Sequence, residues 1–155
     1  MTEPVSLERT MTHRLHTLSK LTDRSTQAAY LADAGIPFSE GRCLAAIGAF
    51  SPLSVNDLAF RANLNKAQAS RAAQSLVDQG LVRKEASAID GRGVVLTLAA
   101  KGEPVWRRLM TVIERRNQDI VSCLNPDERA QLDHLLDRLV EHAREAANVV
   151  GLLNK

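Results

Sequence analysis

Two long amphipathic segments at opposite ends of a 155-residue chain constrain this sequence more than any other feature. Leu7, Met11, Leu15, Leu18, Ser25 and Ala29 recur at helical spacing until Gly35 and Pro37 interrupt them, which predicts a first helix over about 7–34. Toward the other end Asn125 stands as an N-cap, with Pro126 at the first helical position and Asp127 and Glu128 in the first turn. From there Leu132, Leu135, Leu136, Leu139, Ala143, Ala146, Ala147 and Val150 hold one apolar stripe, predicting a helix over about 126–150. So small a core cannot cover both stripes, and the simplest partner surface is a second copy of the chain. A homodimer is therefore expected, with these helices as its dimerisation elements.

Between them the sequence predicts three short helices and a hairpin. The first spans Phe38 to Phe50 and ends at Ser51-Pro52. Ser54 caps the second, which runs to about Ala62 with Asp57 at its third position. Asn63 and Leu64 form a tight turn. Asn65 then caps the third, and Gln68 three residues on completes a capping-box pattern. That helix ends at Gly80; Ala69, Ala72, Ala73, Leu76 and Val77 form its apolar side, and Lys66, Ala67, Ser70, Arg71, Gln74 and Asp78 its polar one. Two short helices joined by so brief a turn, the second carrying amide, hydroxyl and guanidinium groups outward, match a helix-turn-helix. Leu81 to Ala86 and Gly93 to Leu98 read as two strands, and Ser87 to Arg92 between them as the tip of a wing. The expected fold is mainly α with a small β-hairpin wing. It is a single domain over 1–155: a winged helix-turn-helix lobe over about 38–98, a connecting helix over about 99–123, and the two dimerisation helices.

Charge and composition narrow the function classes. The stretch from Arg61 to Arg116 holds 11 of the 20 basic residues and 5 of the 18 acidic ones, an uneven distribution that fits either a mixed solvated surface or a polyanion partner. Aromatic residues are only 3%, which argues against surfaces that stack single-stranded bases and leaves double-stranded DNA open. No nucleophile with a base and no phosphate-cradling glycine loop stands out, so an enzyme is not expected. Cys43 and Cys123 lie too far apart for a CxxC pair, and no run of apolar residues reaches membrane-spanning length. The N-terminal residues lack the apolar stretch of a signal peptide, and a cytoplasmic location without membrane association is expected.

The run SVNDLAFRANLNKAQASRAAQSLVDQGLVRKEASAIDGRGVVLTLAAKG, Ser54 to Gly102, resembles the DNA-binding core of the MarR family of bacterial regulators. The passages that carry the resemblance are Ser70 to Lys84, the D-x-R tip at Asp90 and Arg92, and L-x-x-K-G from Leu98 to Gly102. Two positions depart from the family pattern: Gly91 stands where a second wing arginine is common, and Ala99 where a threonine often caps the next helix. The resemblance implies a dimer that sets two copies of the helix from Asn65 to Gln79 in successive major grooves of a near-palindromic operator. Gln68, Ser70, Arg71 and Gln74 are then candidates for base edges, Lys66 for phosphate, and Arg92, steadied by Asp90, for the minor groove. Capping alone would also explain Gln68.

Family members usually repress, and release DNA when a small aromatic acid or phenol binds between the dimer helices and the DNA-binding lobe. Here His13, His16, Arg42, Cys43, Trp106 and Met110 are the candidates for such an effector site, and an aromatic or N-heteroaromatic acid is the expected class; no cofactor is expected. Three alternatives stay open. A metal sensor would use His13 and His16, and a thiol-oxidation sensor would need Cys43 or Cys123 as a thiolate. A dimeric protein-interaction module would bind no DNA.

Overall fold

The computed structural model describes residues 2–87 and 93–149. The elements run α1 (Met11–Ala29), α2 (Phe38–Phe50), α3 (Val55–Arg61), α4 (Lys66–Asp78), β1 (Val82–Ala86), β2 (Val94–Leu98), α5 (Gly102–Ile120) and α6 (Pro126–Val149). The chain divides into two compact units, Met1–Arg116 and Asn117–Lys155. The fold class is the one expected from the sequence, largely helical with one two-stranded antiparallel hairpin.

In the first unit α1 starts at Met11 and not at Leu7, because Thr10 is extended (φ −72°, ψ 146°) and caps a separate 3-10 turn over Leu7–Arg9. Past Ala29 the helix widens into a π turn, Tyr30–Ala34, which Gly35 ends in the left-handed conformation (φ 65°). None of the α1 residues is buried, and Met11, Leu15, Leu18 and Leu21 stand exposed. The core lies instead among α2, α3, α4, the hairpin and α5, where Leu44, Ile47, Leu58, Leu76, Val82, Leu96 and Leu109 are the largest fully buried side chains besides Cys43.

The hairpin pairs Val82 with Leu98 through Ala86 with Val94. Leu53 adds a third short element, exchanging backbone hydrogen bonds with Leu96 (3.2 and 2.7 Å). In the sequence this region shows only the break after Ser51-Pro52, because a one-residue bridge carries no alternation to announce it. β2 is thus held on both edges, and its Leu96 side chain is fully buried.

The L-x-x-K-G passage acquires a physical reason here. Lys101 Nζ donates to the Gln79 carbonyl at the end of α4 (3.3 Å). A Cβ on Gly102 would sit 2.1 Å from the Leu81 carbonyl oxygen, so only glycine lets α5 start this close to the root of the hairpin. Ala99, at the position where a capping threonine is common, is buried and donates its N–H to the same Leu81 carbonyl (3.0 Å).

In the second unit Asn125 and Glu128 form a full capping box at the head of α6: Glu128 N–H donates to Asn125 Oδ1 (2.9 Å), and Asn125 N–H to Glu128 Oε1 (3.0 Å). α6 buries none of its described residues, and Leu135, Leu136, Leu139 and Val140 are 40–50% exposed. No described helix is long and apolar enough to cross a membrane.

Candidate nucleic-acid interface

Two asparagines build the turn between α3 and α4. Asn63 N–H donates to the Phe60 carbonyl (3.3 Å), and the left-handed conformation of Asn63 (φ 55°) turns the chain so that the N–H of Leu64 reaches the Ala59 carbonyl (3.0 Å), which closes α3. Two residues later Asn65 is extended and opens α4: its Oδ1 accepts from Gln68 N–H (2.8 Å), while its own N–H donates to Gln68 Oε1 (3.2 Å). Asparagine suits both places, tolerating positive φ in one and capping a helix in the other. Arg61, at the end of α3, lays its guanidinium 4.5 Å above the Phe50 ring and ties α3 to α2.

α4 turns Ala69, Ala72, Ala73 and Leu76 into the core and leaves Lys66, Ala67, Gln68, Ser70, Arg71, Gln74 and Asp78 exposed. Small buried residues let this helix seat closely on α2 and α3. It ends at Gly80 (φ 76°), where the N–H of Gly80 donates to Val77 (2.9 Å) and that of Leu81 to Leu76 (3.0 Å). α4 is thus fixed at both ends and along one side, and the other side is a row of polar groups.

Those groups are not equally free. The Gln68 carbonyl is occupied in the capping box. Gln74 Nε2 donates to Asp78 Oδ1 (2.8 Å), and Lys84 Nζ, from β1, donates to Gln74 Oε1. Lys84 is absent from the DNA-facing residues expected from sequence, since only the folded hairpin carries it to α4. Asp90 and Arg92 lie outside the described residues; Ser87 N–H donates to the Gly93 carbonyl (2.8 Å), closing the hairpin just before them.

Beside α4 lies an open cleft of about 530 Å³, lined by Gln27, Leu31, Phe38, Gln68 and Arg71 among others. None of the six residues expected at an effector site lines it. Arg42 pairs with Asp23 (3.7 Å) and rests 4.5 Å above the Phe38 ring. Trp106 donates its indole N–H to the Ala45 carbonyl (3.3 Å) and lies against Gly48, where a Cβ would fall 2.1 Å from the indole nitrogen. Cys43 is fully buried, and burial, with a lesser push from Glu40, raises its thiol to about 12. His13 is half-buried and His16 exposed on α1, and Met110 is half-buried on α5. Among the described residues no three His, Cys, Asp or Glu side chains gather as a metal site.

Residues 34–93, which hold the helix-turn-helix and the first strand of the hairpin, match the sequence model of the MarR family. That stretch is a MarR-family helix-turn-helix region. Among curated proteins, this chain is 25% identical to the HTH-type transcriptional repressor Rv2887 of Mycobacterium tuberculosis over 116 residues, 75% of this chain and 84% of that one. Among solved structures it shares the fold of a MarR-family transcriptional regulator from Silicibacter pomeroyi (TM-score 0.76, 22% identity, 91% of this chain and 96% of that one). It shares it also with BpsR of Bordetella bronchiseptica (TM-score 0.75, 20% identity, 89% and 98%), whose DNA binding is regulated by 6-hydroxynicotinic acid. Rv2887 itself has been crystallised with salicylic acid and with p-aminosalicylic acid.

Proposed function

We propose that this chain is a cytoplasmic homodimeric repressor of the MarR family that occupies a near-palindromic double-stranded operator and leaves it when a small aromatic or N-heteroaromatic acid binds. The observation that carries the reading is α4, capped at both ends, buried along its alanine side and polar along the other. Lys66 meets phosphate, Ser70, Arg71 and Gln74 meet base edges in the major groove, and Arg92 with Asp90 serves the minor groove through the family resemblance. Gln68 is chiefly a cap. The exposed leucines of α1 and α6 supply the dimer contact, which sets two copies of α4 about one helical turn apart.

The effector class rests on the acids crystallised with Rv2887 and on the one that regulates DNA binding by BpsR. Its place is the 530 Å³ cleft against α4, within the range of small-ligand pockets. There the Phe38 and Leu31 side chains offer apolar surface and Arg71 a partner for a carboxylate. Glu40, also in the wall, is turned to the Gln79 amide (3.5 Å). An acid that takes Arg71 takes it from DNA, so ligand and operator exclude each other. At Arg42, by contrast, a carboxylate has first to displace Asp23.

Nuclease protection of an operator, titrated with salicylate and 6-hydroxynicotinate, tests this. The expected result is a symmetric footprint that either acid erases, with Leu31→Trp, which fills the cleft, abolishing the release and Arg42→Ala preserving it. Release lost in Arg42→Ala and intact in Leu31→Trp moves the effector to the Arg42 and Trp106 region. A protein that protects no DNA at all is a dimeric interaction module.

A further inference from the structure

The exposed face of α4 holds one side chain whose polar atoms are bound from two directions. A glutamine amide has two acceptor sites on its oxygen and two N–H donors. In Gln74 one acceptor site is taken by Lys84 Nζ, reaching across from β1, and one N–H by Asp78 Oδ1 at 2.8 Å, one turn further along α4. An ammonium can only donate and an ionised carboxylate can only accept, so these neighbours fix which end of the amide is oxygen and which is nitrogen. A flipped amide would set donor against donor and acceptor against acceptor. What remains on Gln74 is one acceptor site and one N–H, the pair that an adenine edge takes through its N6 amino group and N7.

We propose that Lys84 and Asp78 are positioning residues that set the Gln74 amide for reading an A·T pair, so that the wing strand takes part in major-groove specificity without touching a base. The proposal rests on the DNA-binding reading given above. All three side chains are exposed, so the contribution lies in orientation more than in stability. A free glutamine samples both amide orientations and several rotamers, and pays for ordering on binding; one held from both sides has paid most of that beforehand. Arg83, the neighbour of Lys84 on β1, lies 3.5 Å from Glu85 and is held along the strand, which leaves Lys84 as the basic residue turned to Gln74.

The test separates orientation from simple charge. Lys84→Met, Lys84→Arg, Asp78→Ala and Gln74→Ala are compared with the wild type against an operator and its full set of single-base variants. A bidentate glutamine discriminates among bases by roughly ten- to a hundredfold. The proposal expects Lys84→Met and Asp78→Ala each to cut the A·T preference at least about threefold at one position per half-site, the same position that Gln74→Ala relaxes, while Lys84→Arg keeps it. If Lys84 only meets phosphate, Lys84→Met weakens every sequence equally and lowers the salt slope by about one, with base preference unchanged, and the proposal is overturned while the DNA-binding reading stands. A wild type that prefers no sequence overturns both. A readout without DNA accompanies this: the side-chain amide protons of Gln74 should give one well-dispersed NMR pair that collapses toward random-coil shifts in Lys84→Met, and identical spectra would overturn the bridge itself.

Discussion

Replacing Gly48 by alanine sets two effects of opposite sign against each other. Within a helix, glycine to alanine is ordinarily stabilising by up to about 1 kcal/mol. At this position the new methyl would lie 2.1 Å from Trp106 Nε1 and 2.3 Å from Cδ1, well inside contact distance, and an indole ring cannot yield as the end of a flexible chain can. Trp106 has to leave its seat, forfeiting the hydrogen bond to the Ala45 carbonyl, worth about 1 kcal/mol, and straining its surroundings by about 1–3 kcal/mol. The net is a destabilisation of about 1–3 kcal/mol, or a fall in Tm of roughly 2–12 °C at about 2–4 °C per kcal/mol for a chain of this size. Circular dichroism gives the Tm, and fluorescence reports the cause directly, because Trp106 is the only tryptophan in the chain. Its emission should shift to the red in Gly48→Ala. Adding Trp106→Leu should recover part of the loss that Gly48→Ala causes in the wild-type background. An unchanged or raised Tm with unchanged emission would refute the packing argument.

Other expectations follow from the same geometry. Asn65→Ala should cost about 1 kcal/mol in urea unfolding by removing the acceptor for Gln68 N–H, whereas Asn65→Asp should cost little. Gln68→Ala should lower stability and leave base preference unchanged, and a shift in preference would make Gln68 a reader after all. Cys43 should resist alkylation in the folded protein while the exposed Cys123 reacts. With the Cys43 thiol raised from 9.0 to about 12, the unfolded chain loses this proton first, so stability falls as pH climbs above about 9; a flat profile in wild type and Cys43→Ala alike would contradict it. Leu135→Glu with Leu139→Glu should shift sedimentation from dimer to monomer, and a persistent dimer would place the contact elsewhere.

Features encoded within a few residues were the readable ones. Asn65 with Gln68 and Asn125 with Glu128 form the boxes that their three-residue spacing announces, and Ser54 accepts from Asp57 N–H (3.1 Å) as a cap should. The alanine side of α4 lies buried where a 3.6-residue period puts it. Contacts between residues distant in the chain were not readable. Leu53 meets Leu96, Trp106 meets Gly48 and Lys84 meets Gln74 only because the folded core brings them together. Trp106 illustrates the cost: as a lone aromatic on a helix it reads equally well as ligand contact or packing, and the decisive partner is a glycine, which has no side chain to signal it. The candidate DNA face was therefore legible as a helix with a polar side. Which of its amides is already committed was not.

Selection of bound duplexes from a random DNA pool at near-physiological salt tests the central claim most directly. A winged-helix dimer reading with two copies of α4 predicts one enriched near-palindrome with half-sites about one helical turn apart. Recovery of unrelated sequences, with no shared motif after repeated rounds, would contradict it and leave a nonspecific binder or a protein-interaction module.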